Sequence, residues 1–326
     1  MRPFAYERAA DAAGAVALAR ASGGARYLAG GTNLVDLMKL EVETPSALVD
    51  IRDLAEREIE ETAAGGLRIG ALVTNSEVAA DRTVRERYPL LAHSLLAGAS
   101  GQLRNLATVG GNLLQRTRCA YFQDVTKPCN KRSPGSGCPA REGDHRNLAI
   151  LGHSEACVAT HPSDMAVALA AIGATVHVTG PDGAREVPIP GLHRLPGDAP
   201  DRDTVLEPEE LITAVELPPL PMAARSRYRK VRERASYSFA VVSVAVAADV
   251  ADGVVRDCRI ALGGVAHVPW RAERAEAALR GAPTGEAAFR AAADAELEAA
   301  RPLRDNAFKV PLARDVLVAT LAEVCA

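Results

Sequence analysis

No apolar run in this chain approaches the roughly 20 residues needed to cross a bilayer, so no membrane insertion is expected. Strong charge of either sign is missing too. The formal net charge is −3 over 326 residues, which gives no general reason to expect nucleic acid or a membrane surface as partner. The opening Met1-Arg2-Pro3-Phe4-Ala5-Tyr6-Glu7 lacks the apolar core of a signal peptide. The expectation is a cytoplasmic chain, or a periplasmic one exported folded with a signal-bearing partner. Neither a G-x-G-x-x-G run nor a Walker lysine pattern occurs, which removes the fingerprints of nicotinamide-dinucleotide and P-loop sites. There is no C-x2-C pair of the zinc-ribbon kind and no tight ferredoxin-type cysteine run. No internal repeat is visible. Nor is there a nucleophile or an acid–base pair: His93, His145, His153, His161, His177, His193 and His267 are scattered.

What is present is a folded, two- or three-domain composition, 48% apolar. Its most informative stretch is residues 26–39. A short apolar run ends in Gly30-Gly31, polar residues follow, and an amphipathic run begins, which reads as strand, tight turn and helix start. Such a turn lets backbone approach a ligand, and unpaired N–H groups at a helix start favour phosphate. A second turn of the kind follows at Leu106-Ala107-Thr108-Val109-Gly110-Gly111-Asn112. Alone, each Gly-Gly pair is an ordinary turn. Together they are expected to grip one diphosphate from two sides.

Helices are predicted over 9–22, from Thr74-Asn75-Ser76-Glu77 through Ala80, and over 90–99. Strands are predicted over 47–51 and 67–72. From residue 174 the texture turns to strands: 174–179, 186–189, 210–217, 226–232, 239–250 and 255–262, with the last four read as one antiparallel sheet. Residues 191–203 read as a linker or loop. Helices over 269–280, 286–300 and 311–325 close the chain. The expected boundary divides a first domain, 1–177, from a second, 178–326.

Residues 116–157 form a long polar stretch of little periodicity holding Cys119, Cys129, Cys138 and Cys157 at spacings C-x9-C, C-x8-C and C-x18-C. A loop of this length inside a domain is usually functional or disordered. On spacing alone a metal site, free structural thiols and disulfides all stay open, the last disfavoured without a secretion signal. Lys131, Arg132 and Arg141 either offset a negatively charged cluster or are plain solvated cations. Cys258 and Cys325 read as small buried apolar residues.

Taken together, these motifs resemble the FAD-binding subunit of the xanthine dehydrogenase family of molybdenum hydroxylases. The carriers are Leu28-Ala29-Gly30-Gly31-Thr32-Asn33, Ala107-Thr108-Val109-Gly110-Gly111-Asn112, His161-Pro162-Ser163-Asp164, Tyr228-Arg229-Lys230-Val231 and the turn at 260–264, in the family's order over the whole chain. The resemblance implies an α+β fold: a two-part FAD-binding domain of the vanillyl-alcohol-oxidase-like (PCMH) type, then a domain of antiparallel sheet plus helices. It implies FAD held by Tyr27, Leu28, Ala29, Gly30, Gly31, Thr32, Asn33 and Leu34 around the diphosphate. Thr108 would add a hydroxyl, Gly111 would give close approach, and Asn112, Gln115 and His161 would adjoin. Asp164 would accept from a ribityl or ribose hydroxyl, the bland alternative being a helix cap. Lys230 would sit near the flavin N1/C2=O edge, the bland alternative being an exposed strand lysine.

Arg116-Thr117-Arg118-Cys119, Pro128-Cys129-Asn130-Lys131-Arg132 and Gly137-Cys138 are similar to the branch of the family with an extra [4Fe–4S] cluster, on which Cys119, Cys129, Cys138 and Cys157 would be the ligands. That branch includes aldehyde oxidoreductases and 4-hydroxybenzoyl-CoA reductases, and the former are the nearer match. The implied activity is electron transfer within a molybdenum-dependent aldehyde oxidoreductase. Its partners would be a molybdopterin-binding large subunit and a [2Fe–2S] small subunit in a heterotrimer, with an external electron acceptor. The alternatives are an aryl-CoA reductase subunit and a zinc-stapled binding protein without flavin. Gly98 stands where many relatives carry a phenylalanine stacked on the flavin, so the ring is expected to be covered differently.

Overall fold

Short leucine- and valine-rich runs between turns build three sheets in the computed structural model, which describes residues 1–326. β1 (Ala5–Arg8), β2 (Arg26–Leu28) and β3 (Ala47–Asp50) form a parallel sheet in the order β1-β3-β2. The central strand is buried along its whole length, as a strand covered on both faces must be. Helix Ala12–Ala21 crosses between β1 and β2, and Asp11 caps it by accepting from the Gly14 N–H at 2.7 Å.

β4 (Ile59–Glu61), β5 (Leu67–Gly70), β6 (Thr175–Gly180), β7 (Gly183–Pro188) and β8 (Leu211–Leu217) form an antiparallel sheet in the order β4-β5-β8-β6-β7. β9 (Ser226–Val231), β10 (Val242–Ala251), β11 (Val254–Gly263) and β12 (Trp270–Arg271) form the third, also antiparallel. Helices Glu273–Leu279, Glu286–Leu297 and Lys309–Cys325 complete the C-terminal part. The fold is α+β.

Two expectations change. The boundary at 177/178 falls inside β6, and β6 pairs with β8, which pairs with β5, so the first sheet-bearing unit runs through β8 to residue 217. For the same reason residues 211–217 do not join the C-terminal sheet. Their alternation fits either sheet, and only the long-range pairing Leu67↔Leu217 decides.

Helix Asp164–Ile172 is the keystone, with every residue buried. Ser163 caps it by accepting from Ala166 N–H at 2.9 Å, and Gly173 ends it at φ 77°. It packs on β10 and β11 and on helix Pro89–Ala97, so one apolar core runs through both units and includes Tyr228, Ala245 and Ala261. Helix Lys309–Cys325 packs on β10 and β9. Cys258 and Cys325 lie in the C-terminal core, as expected of small apolar residues.

Candidate functional site

β2 delivers Ala29-Gly30-Gly31-Thr32-Asn33 to the start of helix Leu34–Lys39. The N–H groups of Gly30, Gly31, Thr32, Asn33 and Leu34 donate to nothing within the chain. Consecutive free N–H groups make an anion-binding concavity. Gly31 has φ 71°, a left-handed conformation that favours glycine. Asn33 Oδ1 accepts from Arg116 N–H at 3.0 Å, while its buried Nδ2 has no partner. A buried donor left unpaired is costly unless a ligand meets it.

The second turn behaves differently. Thr108 caps helix Val109–Leu113, Gly110 N–H donates to Ala71 O at 2.8 Å, and Gly111 N–H donates to Thr108 Oγ1 at 3.3 Å. The N–H groups of Gly110, Gly111 and Asn112 are thus taken within the chain, unlike those of the first turn. Gly30 is pressed against Leu106: a Cβ there would run into the Leu106 carbonyl. The missing Cβ of this glycine lets the two turns approach each other, while its N–H stays free.

Three cavities join into one groove. The first, of about 450 Å³, is lined by residues 29–34, by Thr108 and Gly111, and by residues 201–204, 206–208 and 210–212. The second, of about 490 Å³, shares Thr32, Asn33 and Gly111 with the first and adds Gly98, Asn112, Gln115, Asp164 and Lys230. The third, of about 240 Å³, shares Pro162 and Asp164 with the second and adds His161. Tyr27 lines the first and donates its hydroxyl to Glu209 O at 2.6 Å, fastening that loop over the groove. Leu28 ends β2 with its carbonyl taken by Ile51 N–H, and it lines none of the three.

Asp164 is not the helix cap; Ser163 is. The carboxylate accepts from Lys230 Nζ at 2.7 Å and from Tyr228 Oη at 2.5 Å. Lys230 also donates to Ala97 O at 3.2 Å and its side chain is 3% exposed, which removes the exposed-lysine reading. A Cβ on Gly98 would meet Asp164 Oδ2 at 3.3 Å. Asn112 Oδ1 accepts from Ser163 Oγ at 2.6 Å and from Gln115 Nε2 at 2.9 Å. His161 is half-buried and its ring lies against that of His193, centroids 4.2 Å apart; desolvation first, then His193, pushes it well below the usual imidazole range. It is neutral, with Nε2 unpaired.

The four loop cysteines surround one small apolar cavity with Phe122, Ala140 and Ala159. All are free thiols. Burial pushes Cys119 up to about 11 and Cys157 up to about 12. Without a cation to draw off their protons they stay neutral. No three His, Cys, Asp or Glu side chains gather tightly enough to hold a single metal ion. A cube of four irons, with one thiolate at each iron, asks for a wider set, and the shared apolar cavity fits that donor chemistry.

Lys131 and Arg132 of this loop are not solvated surface. Arg132 donates to Tyr121 O and Phe122 O, both at 2.6 Å. Lys131 is 2% exposed; it donates to Pro200 O at 2.7 Å and lies 2.9 Å from His267 Nε2, with Asp203 as its counter-ion. Asp203 also pairs with Arg116 at 2.8 Å. Sequence reasoning missed Glu43 and Arg116, an ion pair on the wall of the first cavity, and that cavity's wall from the stretch 201–212. The acidic stretch over 201–210 carried no signal of what it covers.

Residues 2–220 match the FAD binding domain in molybdopterin dehydrogenase, and residues 226–324 match the CO dehydrogenase flavoprotein C-terminal domain. With the groove described above, this settles the class: the chain belongs to the FAD-binding subunits of the molybdenum hydroxylase family and is a subunit of an oxidoreductase. Within that family it is aldehyde oxidoreductase-like. It is 52% identical over 325 residues, 99% of this chain and 98% of the relative, to the aldehyde oxidoreductase FAD-binding subunit PaoB of Escherichia coli (strain K12). It is 28% identical to the glyceraldehyde dehydrogenase medium chain of Sulfolobus acidocaldarius, over 84% of this chain and 79% of that one. Among solved structures, reconstituted CO dehydrogenase from Oligotropha carboxidovorans superposes with a TM-score of 0.78 at 25% identity, covering 100% of this chain and 99% of that chain.

Proposed function

We propose that this chain is the FAD- and [4Fe–4S]-bearing electron-transfer subunit of a molybdenum-dependent aldehyde oxidoreductase that oxidises aldehydes to carboxylic acids. The observation that carries the finer part is the gathering of Cys119, Cys129, Cys138 and Cys157 around one apolar cavity, in a chain that also builds the flavin groove. The free N–H groups of Gly30 to Leu34 and Asn33 Nδ2 hold the FAD diphosphate. Asp164, fixed by Lys230 and Tyr228, keeps acceptor capacity for a ribityl hydroxyl. Lys230 keeps a third N–H for the ring. The flavin supplies one- and two-electron chemistry that no side chain has. The chain supplies position and charge, placed between a [2Fe–2S] small subunit and an external acceptor, with substrate chemistry on a molybdopterin-binding large subunit. Heterotrimeric assembly belongs to the same reading, with the complex either cytoplasmic or exported folded with a signal-bearing partner, and no helix here is long and apolar enough to cross a membrane.

A zinc-stapled binding protein without flavin leaves the free N–H groups of Gly30 to Leu34 and the Lys230–Asp164 pair without a role. An absorption spectrum tests the proposal. Flavin bands at about 450 nm over a broad iron–sulfur shoulder are expected. A yellow protein without iron or sulfide would remove the cluster, and a colourless one would remove the whole reading.

A further inference from the structure

Arg104 and Arg234 line the second cavity, and Arg232 shares the Ala97 carbonyl with Lys230, which also lines it; none of the three guanidinium groups has a carboxylate partner. Arg104 donates to Gly98 O at 2.7 Å, Arg232 to Ala97 O at 3.1 Å, and Arg234 Nε to Tyr237 O at 3.0 Å. The neighbouring charges are matched. Arg118 pairs with Asp36 at 3.1 Å, Lys230 with Asp164 at 2.7 Å, and Glu233 with Arg146 at 3.4 Å. The mouth is therefore a local positive centre on a chain of net charge −3.

Aromatic rings stand at the same rim. Tyr237 and Phe239 both line this cavity and are 56% and 44% exposed. Arg234 lies over the Tyr237 ring at 5.5 Å and Arg118 over the Phe239 ring at 4.9 Å. The backbone there is strained as well: Ala99 and Tyr237 have φ of 50° and 52°. Arg104 and Arg234 hold carbonyls of these two turns, so the cations keep the rim in shape. Strained turns persist where surroundings over-determine them, often at ligand rims. Exposed rings beside guanidinium groups whose donors outnumber their acceptors suit a flat anion.

We propose that this mouth is the landing site of the external electron acceptor, and that it selects a small, flat, anionic oxidant of the quinone class. The inference rests on the flavin reading above. The acceptor takes two electrons and one proton from the reduced flavin anion and a second proton from solvent. The quinone leaves as hydroquinone, and the flavin is left oxidised. Arg104, Arg232 and Arg234 attract and orient the anionic group, while Tyr237 and Phe239 offer a face to the ring.

The test uses the assembled complex with a naphthoquinone sulfonate, the unsulfonated naphthoquinone and the cationic N-methylphenazinium as acceptors. It also measures binding of redox-inactive naphthalene disulfonate by calorimetry. The sulfonate should show the lowest KM, and its KM should rise with salt while that of the neutral quinone stays level. Arg234→Gln, and the triple change with Arg104→Gln and Arg232→Gln, should weaken sulfonate and disulfonate binding, by about tenfold in the triple variant. Equal KM values, no salt effect and disulfonate binding indifferent to the variants would overturn the inference. The salt series on the unaltered complex decides even where a variant fails to fold. Flavin absorbance is read first: a complex without flavin refutes the underlying reading, whereas a flavin-loaded complex without charge preference refutes this inference alone.

Discussion

Gly31 and Gly30 are glycine for different reasons. At Gly31 the backbone sits at positive φ among free amides; at Gly30 the Leu106 carbonyl leaves no room for a Cβ. Gly31→Val is expected to cost about 1–3 kcal/mol in strain and to distort the amides that face the diphosphate. Flavin per purified chain should fall sharply; full occupancy would contradict the assignment. Gly30→Ala should lower the melting temperature of the flavin-free chain too, since it forces two backbone turns apart. The glycine pairs, Asp164 and Lys230 were legible as motifs. Their division of labour was not, because which amides are spent depends on what Ala71 and Leu106 bring to the turns. Asp50 makes a pH prediction. Hydrogen bonds from Arg52 first, then from Tyr6, hold its carboxyl well below the usual carboxylate range against the cost of burial. The folded state therefore binds fewer protons than the unfolded chain in acid. The stabilisation is complete above about pH 4, where the unfolded carboxyl is ionised, and is lost as pH falls below that. Thermal melts from neutral pH to pH of about 3 should show this acid loss, with a smaller slope in Asp50→Asn.

At the scale of elements, the insert over 116–157 behaves as one unit held by its own arginines and by Lys131. Serine at Cys119, Cys129, Cys138 or Cys157 is expected to lower iron and sulfide by about one cluster per chain, whereas Cys258→Ser and Cys325→Ser should leave both unchanged. Metal analysis of the six variants decides, and iron insensitive to Cys129→Ser would sink the ligand set. The insert was visible in sequence as a break in periodicity. Its attachment was not, because Lys131 is recognised only by Asp203, His267 and the Pro200 carbonyl, all brought in by the fold. The same limit explains β8: alternation names a strand but not its neighbours.

For the molecule as a whole, the shared core around helix Asp164–Ile172 ties both units together, so calorimetry should record one unfolding transition. Partner association is the larger expectation. An internal redox relay needs fixed, short separations, so co-expression with the large and small subunits should give one stable complex on size exclusion. Elution as a lone 34.2 kDa flavoprotein, or aldehyde turnover by the isolated chain, would contradict it. The groove also sets a timetable. Its walls come from residues near 30, 108, 164, 204 and 230, so a nascent chain cannot close it until the C-terminal sheet has left the ribosome. Flavin loading is thus a late event of maturation, completed on a finished chain, and any crossing into another compartment after loading must carry the protein across without unravelling it.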